Sequence, residues 1–350
     1  MPDAPPSRSR PWVHWPVLIL LSVALAILLE VPHFPAALLL GPMGAAIAVA
    51  LYGVRIAIPG RAVVGAQGVV GLMIGAGFPP GFLAEMTEHW PVVLGGTAFT
   101  ILISTGLGWL LSRSSLLPGT TALWGFSAGA ASVMTFMSKS YGADFRLVAF
   151  MQYLRVACVA LSAGMVVRLG PGITVAPLFR DWFPVVSAPS YVAILLVALL
   201  LSALGHGLRI PGGAFLLPMA AGVILAKVTG LPVMPPPWMK AIAFTVIGWA
   251  IGLPFTTDLV RHAARVFPVV SAAIVAMILA NGLVALLLAR LTGLDYLTAF
   301  LATSPGGADS VAIIAATVPV DIGFVTTMQT ARLLVVLAIS PVIARRLSRP

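Results

Sequence analysis

Long apolar runs separated by short polar gaps fill the chain from residue 12 almost to its end. They fall at roughly 12–29, 35–53, 62–78, 90–112, 116–138 and 145–168. They recur at roughly 184–205, 211–229, 239–253, 266–290, 296–316 and 322–344. A helix needs about 20 apolar residues to cross a bilayer. Trp90–Ser112 and Val266–Ala289 meet that length, while other runs are short or interrupted. The pattern predicts an all-α, polytopic membrane helical bundle of about 10–12 segments, some of them broken or re-entrant.

The polar positions carry a second pattern. A constant offset of 177 residues relates Asp144 to Asp321, Gln152 to Gln329 and Arg155 to Arg332. Ser127/Ser304, Gly129/Gly306, Gly71/Gly248 and Gly75/Gly252 keep the same register. One register held over half the chain means an internal duplication, with function expected where the copies meet. The chain divides into a cytoplasmic tail at 1–11, a first membrane repeat at 12–170, a linker at 171–184 and a second repeat at 185–350. Six crossings per copy would make the repeats parallel, and five plus a re-entrant segment would make them inverted. The basic residues leave this open, because Arg261 and Arg265 fall on the wrong side of an otherwise even count.

Glycine marks two pairs of runs. Gly65, Gly68, Gly71, Gly75 and Gly77 crowd the third run. They fit either close helix packing or a cavity-lining break. In the fifth run and its partner, Ser127-Ala128-Gly129 and Ser304-Pro305-Gly306-Gly307 make poor helix interiors. A broken helix is expected there, and its freed amides suit an anion.

Composition makes lipid the solvent. Hydrophobic residues are 60% and charged residues 9%, with a mean hydropathy of +1.06. A soluble domain carries about a quarter charged residues. The net charge of +10 comes from basic residues set singly between apolar runs. That distribution suits membrane anchoring and lacks the basic face that direct nucleic-acid binding needs. Arg8 and Arg10 suit cytoplasmic anchors of a first spanning helix, so a multi-pass protein with its N-terminus in the cytoplasm is expected. Cys158 is the single cysteine, so neither a disulfide framework nor a cysteine metal site is expected. The five histidines, at 14, 33, 89, 206 and 262, are scattered over separate connections without ligand spacing. Neither metal nor cofactor is expected. The chain also lacks G-x-x-x-x-G-K-[ST], which argues against an ATP-driven pump.

Charges inside apolar runs are the best pointers to function, since each costs several kcal/mol unless paired or hydrated. Gln152 and Arg155 share one helix face, as do Gln329 and Arg332. Asp144 and Asp321 stand about three turns earlier. In one reading each arginine satisfies carbonyls of the broken helix and each aspartate caps a helix. In the other, the two Gln/Arg faces converge with Ser127, Gly129, Ser304, Gly306 and Gly307 on an anionic solute. Asp309, Asp321 and Asp144 are then the candidates for ion coupling. Asp309 breaks the symmetry, because its counterpart is Ser132. It suits a proton or sodium site, or a salt bridge to Arg332 or Arg155. Asn281 is expected to bond between helices, and Asp258, Arg261 and His262 to lie in a connection.

LLLGPMGAAIA at 38–48, LLPMAAGVI at 216–224 and the paired Met151-Gln152…Arg155 and Met328-Gln329…Arg332 helices carry a resemblance. The chain resembles the bacterial AbrB membrane protein family, built from a tandem duplication unit, from about residue 12 to 345. Members carry labels such as ammonia monooxygenase and regulator of gene expression. The residues argue against both as direct chemistry: there is no ligand set for copper or iron, and no soluble DNA-binding module. The chain is therefore not expected to be an enzyme. A secondary transporter of a small, anionic solute, coupled to a proton or sodium gradient, is expected. The alternative is a membrane sensor that affects gene expression indirectly. Expected partners are the bilayer, a solute, a proton or sodium ion and, in a homo-oligomer, further copies of the chain.

Overall fold

A computed structural model describes residues 11–31, 37–54, 56–77, 87, 89–114, 117, 120–129, 131–169, 182, 188–210, 212–229, 234–306 and 320–347. These residues form helices and connections only. The first copy contributes α1 (Pro11–Glu30), α2 (Ala37–Leu51), α3 (Gly60–Ala76), α4 (Trp90–Ser112), α5 (Thr121–Phe126), α6 (Ala131–Ser140) and α7 (Phe145–Leu169). The second contributes α8 (Ala188–Gly207), α9 (Gly213–Thr229), α10 (Pro237–Gly252), α11 (Thr257–Thr292), α12 (Tyr296–Thr303) and α13 (Ile322–Leu347). The start of α8 is displaced from that of α1 by the same 177 residues.

Four helices, α4, α7, α11 and α13, hold stretches long and apolar enough to cross a membrane. Their outward side chains are apolar: Leu102 is 70% exposed and Leu283 also 70%. In water such a surface would be costly, whereas in lipid it needs no partner.

The longest helix, α11, corrects one expectation. Asp258, Arg261 and His262 lie within it, not in a connection. Thr256 caps its start, accepting from the Leu259 amide at 3.3 Å. A buried stripe of Leu259, Ala263, Val266, Val270, Ile274, Met277, Asn281, Ala285 and Leu288 then runs its whole length. Those steps of three and four residues keep one helical face inward. At about 1.5 Å per residue its 36 residues exceed a hydrocarbon core of about 30 Å. The helix therefore tilts or stands out of the bilayer. His14 and His206 also sit within helices, in α1 and α8, rather than in connections.

The copies interleave. Helix α3 packs on α8 and α9 of the other repeat, and α10 packs on α2. Glycine makes both contacts possible. A Cβ on Gly71 would stand 2.3 Å from the Phe215 carbonyl oxygen, and one on Gly75 2.0 Å from that of Met219. Across the duplication, a Cβ on Gly248 would stand 2.7 Å from the Leu39 oxygen and one on Gly252 2.5 Å from that of Met43. Of the two readings of the third run, these contacts are close helix packing. Helices α1–α3 and α8–α10 thus form one body. Helices α4–α7 and α11–α13 form a second around the broken helices. Contacts between α7 and α10 join them.

Candidate functional site

The fifth run does break. Helix α5 ends at Phe126, Ser127 turns extended (φ −55°, ψ 120°), and α6 begins at Ala131. In the second copy α12 ends at Thr303 and Ser304 turns the same way (φ −58°, ψ 136°). A break deprives the last carbonyls of their main-chain donors. In lipid each must find another.

Gln152 and Arg155 supply them. Gln152 Nε2 donates to the Trp124 and Ser127 carbonyls at 2.7 and 3.0 Å. Arg155 donates from Nη1 to the Ser127 oxygen (2.7 Å) and from Nη2 to the Gly129 oxygen (3.2 Å). The second copy repeats this bond for bond. Gln329 Nε2 reaches the Leu301 and Ser304 oxygens at 2.7 and 3.3 Å. Arg332 reaches the Ser304 and Gly306 oxygens at 2.5 and 2.8 Å. All four side chains are buried. A guanidinium offers a fixed fork that spans two carbonyls, which lysine lacks.

The grip is not complete. Arg155 Nε, Arg332 Nε and Gln152 Oε1 are buried without a hydrogen-bond partner. Gln329 Oε1 differs, since it accepts from Arg332 Nη2. Contacts of α12 with α7, and of α13 with α5, bring the copies together there. The hydroxyls of Ser127 and Ser340 also meet at 3.0 Å.

Asp144 and Asp321 stand apart from this cluster, at the start of α7 and α13. Asp321 caps α13, accepting from the Phe324 amide at 2.9 Å. Asp144 accepts from the Arg146 amide and binds the Arg146 guanidinium through both oxygens at 3.0 Å. Burial raises the Asp144 pKa, but the hydrogen bonds and charge of Arg146 outweigh it and hold the carboxyl below its usual range. Gly307 and Asp309 lie outside the described residues, as does the side chain of Ser132.

Several functional contacts were not read from the sequence. The Asp144 and Asp321 amides donate to Thr121 Oγ1 (3.2 Å) and Thr298 Oγ1 (3.1 Å), tying each long helix to its broken neighbour. The signal was present, because these threonines share the 177-residue offset. Between copies, Thr100 Oγ1 on α4 bonds to Asn281 Oδ1 on α11 at 2.9 Å, the interhelical bond expected of Asn281. Among the described residues no three His, Cys, Asp or Glu side chains group as metal ligands would.

Residues 38–348 match the family described as "Transition state regulatory protein AbrB". The chain belongs to the AbrB family. It is 42% identical over 340 residues to the Escherichia coli (strain K12) protein named "Putative regulator AbrB", covering 97% of each chain. A Bacillus subtilis (strain 168) relative, "Uncharacterized protein YhjN", is 26% identical over 292 residues, covering 79% of this chain and 76% of its own. No solved structure matches. This AbrB-family chain is thus an all-α, membrane-type bundle whose two broken helices are each held by a buried Gln/Arg pair.

Proposed function

We propose that this AbrB-family protein is a secondary transporter of the bacterial inner membrane, with its N-terminus in the cytoplasm. It moves a small anionic solute in a step coupled to a proton or sodium gradient. The observation that carries this reading is the pair of helix breaks held by buried, charged donors. Backbone broken inside a membrane is tolerated where it lines a cavity or is buried in protein, and transporters place solute at such breaks. Arg155 Nε and Arg332 Nε are the spare donors, and the α6 N-terminus adds partial positive charge. Gln152, Gln329, Ser127, Gly129, Ser304, Gly306 and Gly307 shape the site. Asp309, unmatched in the first copy, is the first choice for ion coupling, ahead of Asp321 and Asp144, which cap helices.

The name of the E. coli relative favours a second reading, in which the chain senses a solute and influences gene expression indirectly. Thermal unfolding of the purified protein with a panel of small carboxylates separates the two. Transport coupled at Asp309 predicts stabilisation that depends on sodium or acid pH and is lost in Asp309→Asn. Stabilisation indifferent to both favours the sensor, and no stabilisation by any solute counts against both.

A further inference from the structure

Away from the helix breaks, the two bodies enclose a crevice of about 890 Å³. Its rim is built from helix ends: the starts of α3, α7 and α9, and the ends of α6, α8 and α10. It therefore opens at one surface of the bundle. Lys139, His206 and Arg209 line it, and among the described residues no lining side chain is acidic. No carboxylate pairs with any of the three among the described residues; Lys139 meets only the Phe145 ring, at 5.2 Å. Helix α3 starts there without a side-chain cap, so its first amides add positive potential. Arg209 is held at φ 55°, a left-handed conformation costly for a residue other than glycine. The remaining wall is mostly apolar, with Ile58, Val63 and Phe136 among its residues and Gln67 and Ser140 as polar members.

The other copy does not carry these basic side chains. The counterpart of Lys139 is Ala316, and that of His206 is Leu29. Three basic side chains without a carboxylate partner among the described residues, beside a mostly apolar wall, suit an anionic head on an apolar or compact organic body. We propose that this crevice is a binding site for a phosphate monoester headgroup, held by Lys139, His206 and Arg209. The source is either an acidic phospholipid or a soluble organic phosphate. The site is separate from the Gln/Arg breaks, so binding is expected whether or not the protein moves solute.

The test is thermal unfolding of the full chain in detergent with three probes at matched ionic strength. These are dioctanoyl phosphatidate, glycerol phosphate and dioctanoyl phosphatidylcholine, the last having the same tails and no net charge. Each is titrated against the wild type, Lys139→Ala/Arg209→Ala and the control Arg290→Ala, an exposed cation outside the crevice. The single Lys139→Gln and Arg209→Gln variants stand in should the double variant fail to fold. Phosphatidate alone stabilising the wild type identifies a lipid headgroup site. Glycerol phosphate stabilising it identifies a soluble phosphate site. In either case the crevice variants should weaken the apparent affinity at least tenfold, and Arg290→Ala should not. Equal effects of phosphatidate and phosphatidylcholine, equal binding by wild type and crevice variants, or no binding would overturn the proposal.

Discussion

The two helix breaks are copies of one device, and they differ in detail. Both put a Gln amide and an Arg fork on three carbonyls in the same register, the middle one shared between them. Around that shared frame the copies diverge. Gln329 Oε1 is bonded to Arg332, while Gln152 Oε1 is left without a partner. Asp144 is paired with Arg146, but the residue after Ile322 is Gly323, so Asp321 has no such arginine. At the position equivalent to Asp309 the first copy has Ser132. Shared bonds satisfy backbone that both copies must satisfy, so they report on architecture. The differences are not demanded by the architecture, and function is best sought in them.

The largest expected effect tests the shared frame. Arg332→Ala strands the Gly306 carbonyl, leaves Ser304 only the longer bond from Gln329, and should cost on the order of 3 kcal/mol. Arg155→Ala should be nearly as damaging. Its cost should be somewhat smaller, because Gln152 lacks the bond that Gln329 makes with its arginine. Arg→Lys should rescue little at either site, since one ammonium cannot span two carbonyls. Thermal unfolding of the four variants in one detergent checks both statements. Equal rescue by lysine would break the comparison.

Next comes the interleaved packing. Gly75→Val forces a side chain onto the Met219 carbonyl and should cost roughly 1–3 kcal/mol. Gly252→Val should cost less, because its neighbour stands 2.5 Å away rather than 2.0 Å. Asn281→Val removes the bond to Thr100 and should cost about 0.6 kcal/mol, the average for such bonds in membranes. Thr100 keeps its bond to the Gly96 carbonyl, which limits the loss.

The smallest effect is a pH dependence. The Asp144 carboxyl is held below its usual range, so its ion pair stabilises the folded state above the ordinary carboxylate pKa. That contribution is lost as pH falls through the lowered value. The pair is partly exposed, so solvent screening keeps it under about 1 kcal/mol. Unfolding temperatures of the wild type and Arg146→Ala should converge below pH 4 or so if this sign is right.

Much of this architecture was legible because lipid leaves so few polar residues. The Gln/Arg helices, the breaks at Ser127 and Ser304 and the packing glycines all stand out against apolar sequence. The constant offset then pairs them. Other features were hidden for physical reasons. Asp258, Arg261 and His262 read as a connection because charges usually mark one, yet Thr256 starts a helix beneath them. The interleaving of α3 with α9 depends on which glycine meets which carbonyl, and spacing alone does not name the partner. The basic crevice was invisible because Lys139 ends a helix of one copy, while His206 and Arg209 sit at the end of a helix in the other. No run of sequence gathers them.

The central claim is that solute crosses the membrane through this chain, and flux tests it most directly. Purified protein in proteoliposomes would be given a panel of small carboxylates under an imposed proton or sodium gradient, with Asp309→Asn in parallel. The account predicts gradient-driven uptake of at least one carboxylate, abolished in Asp309→Asn while that variant remains folded. Binding of the same carboxylates without uptake under any gradient would contradict it and leave the sensor reading in its place.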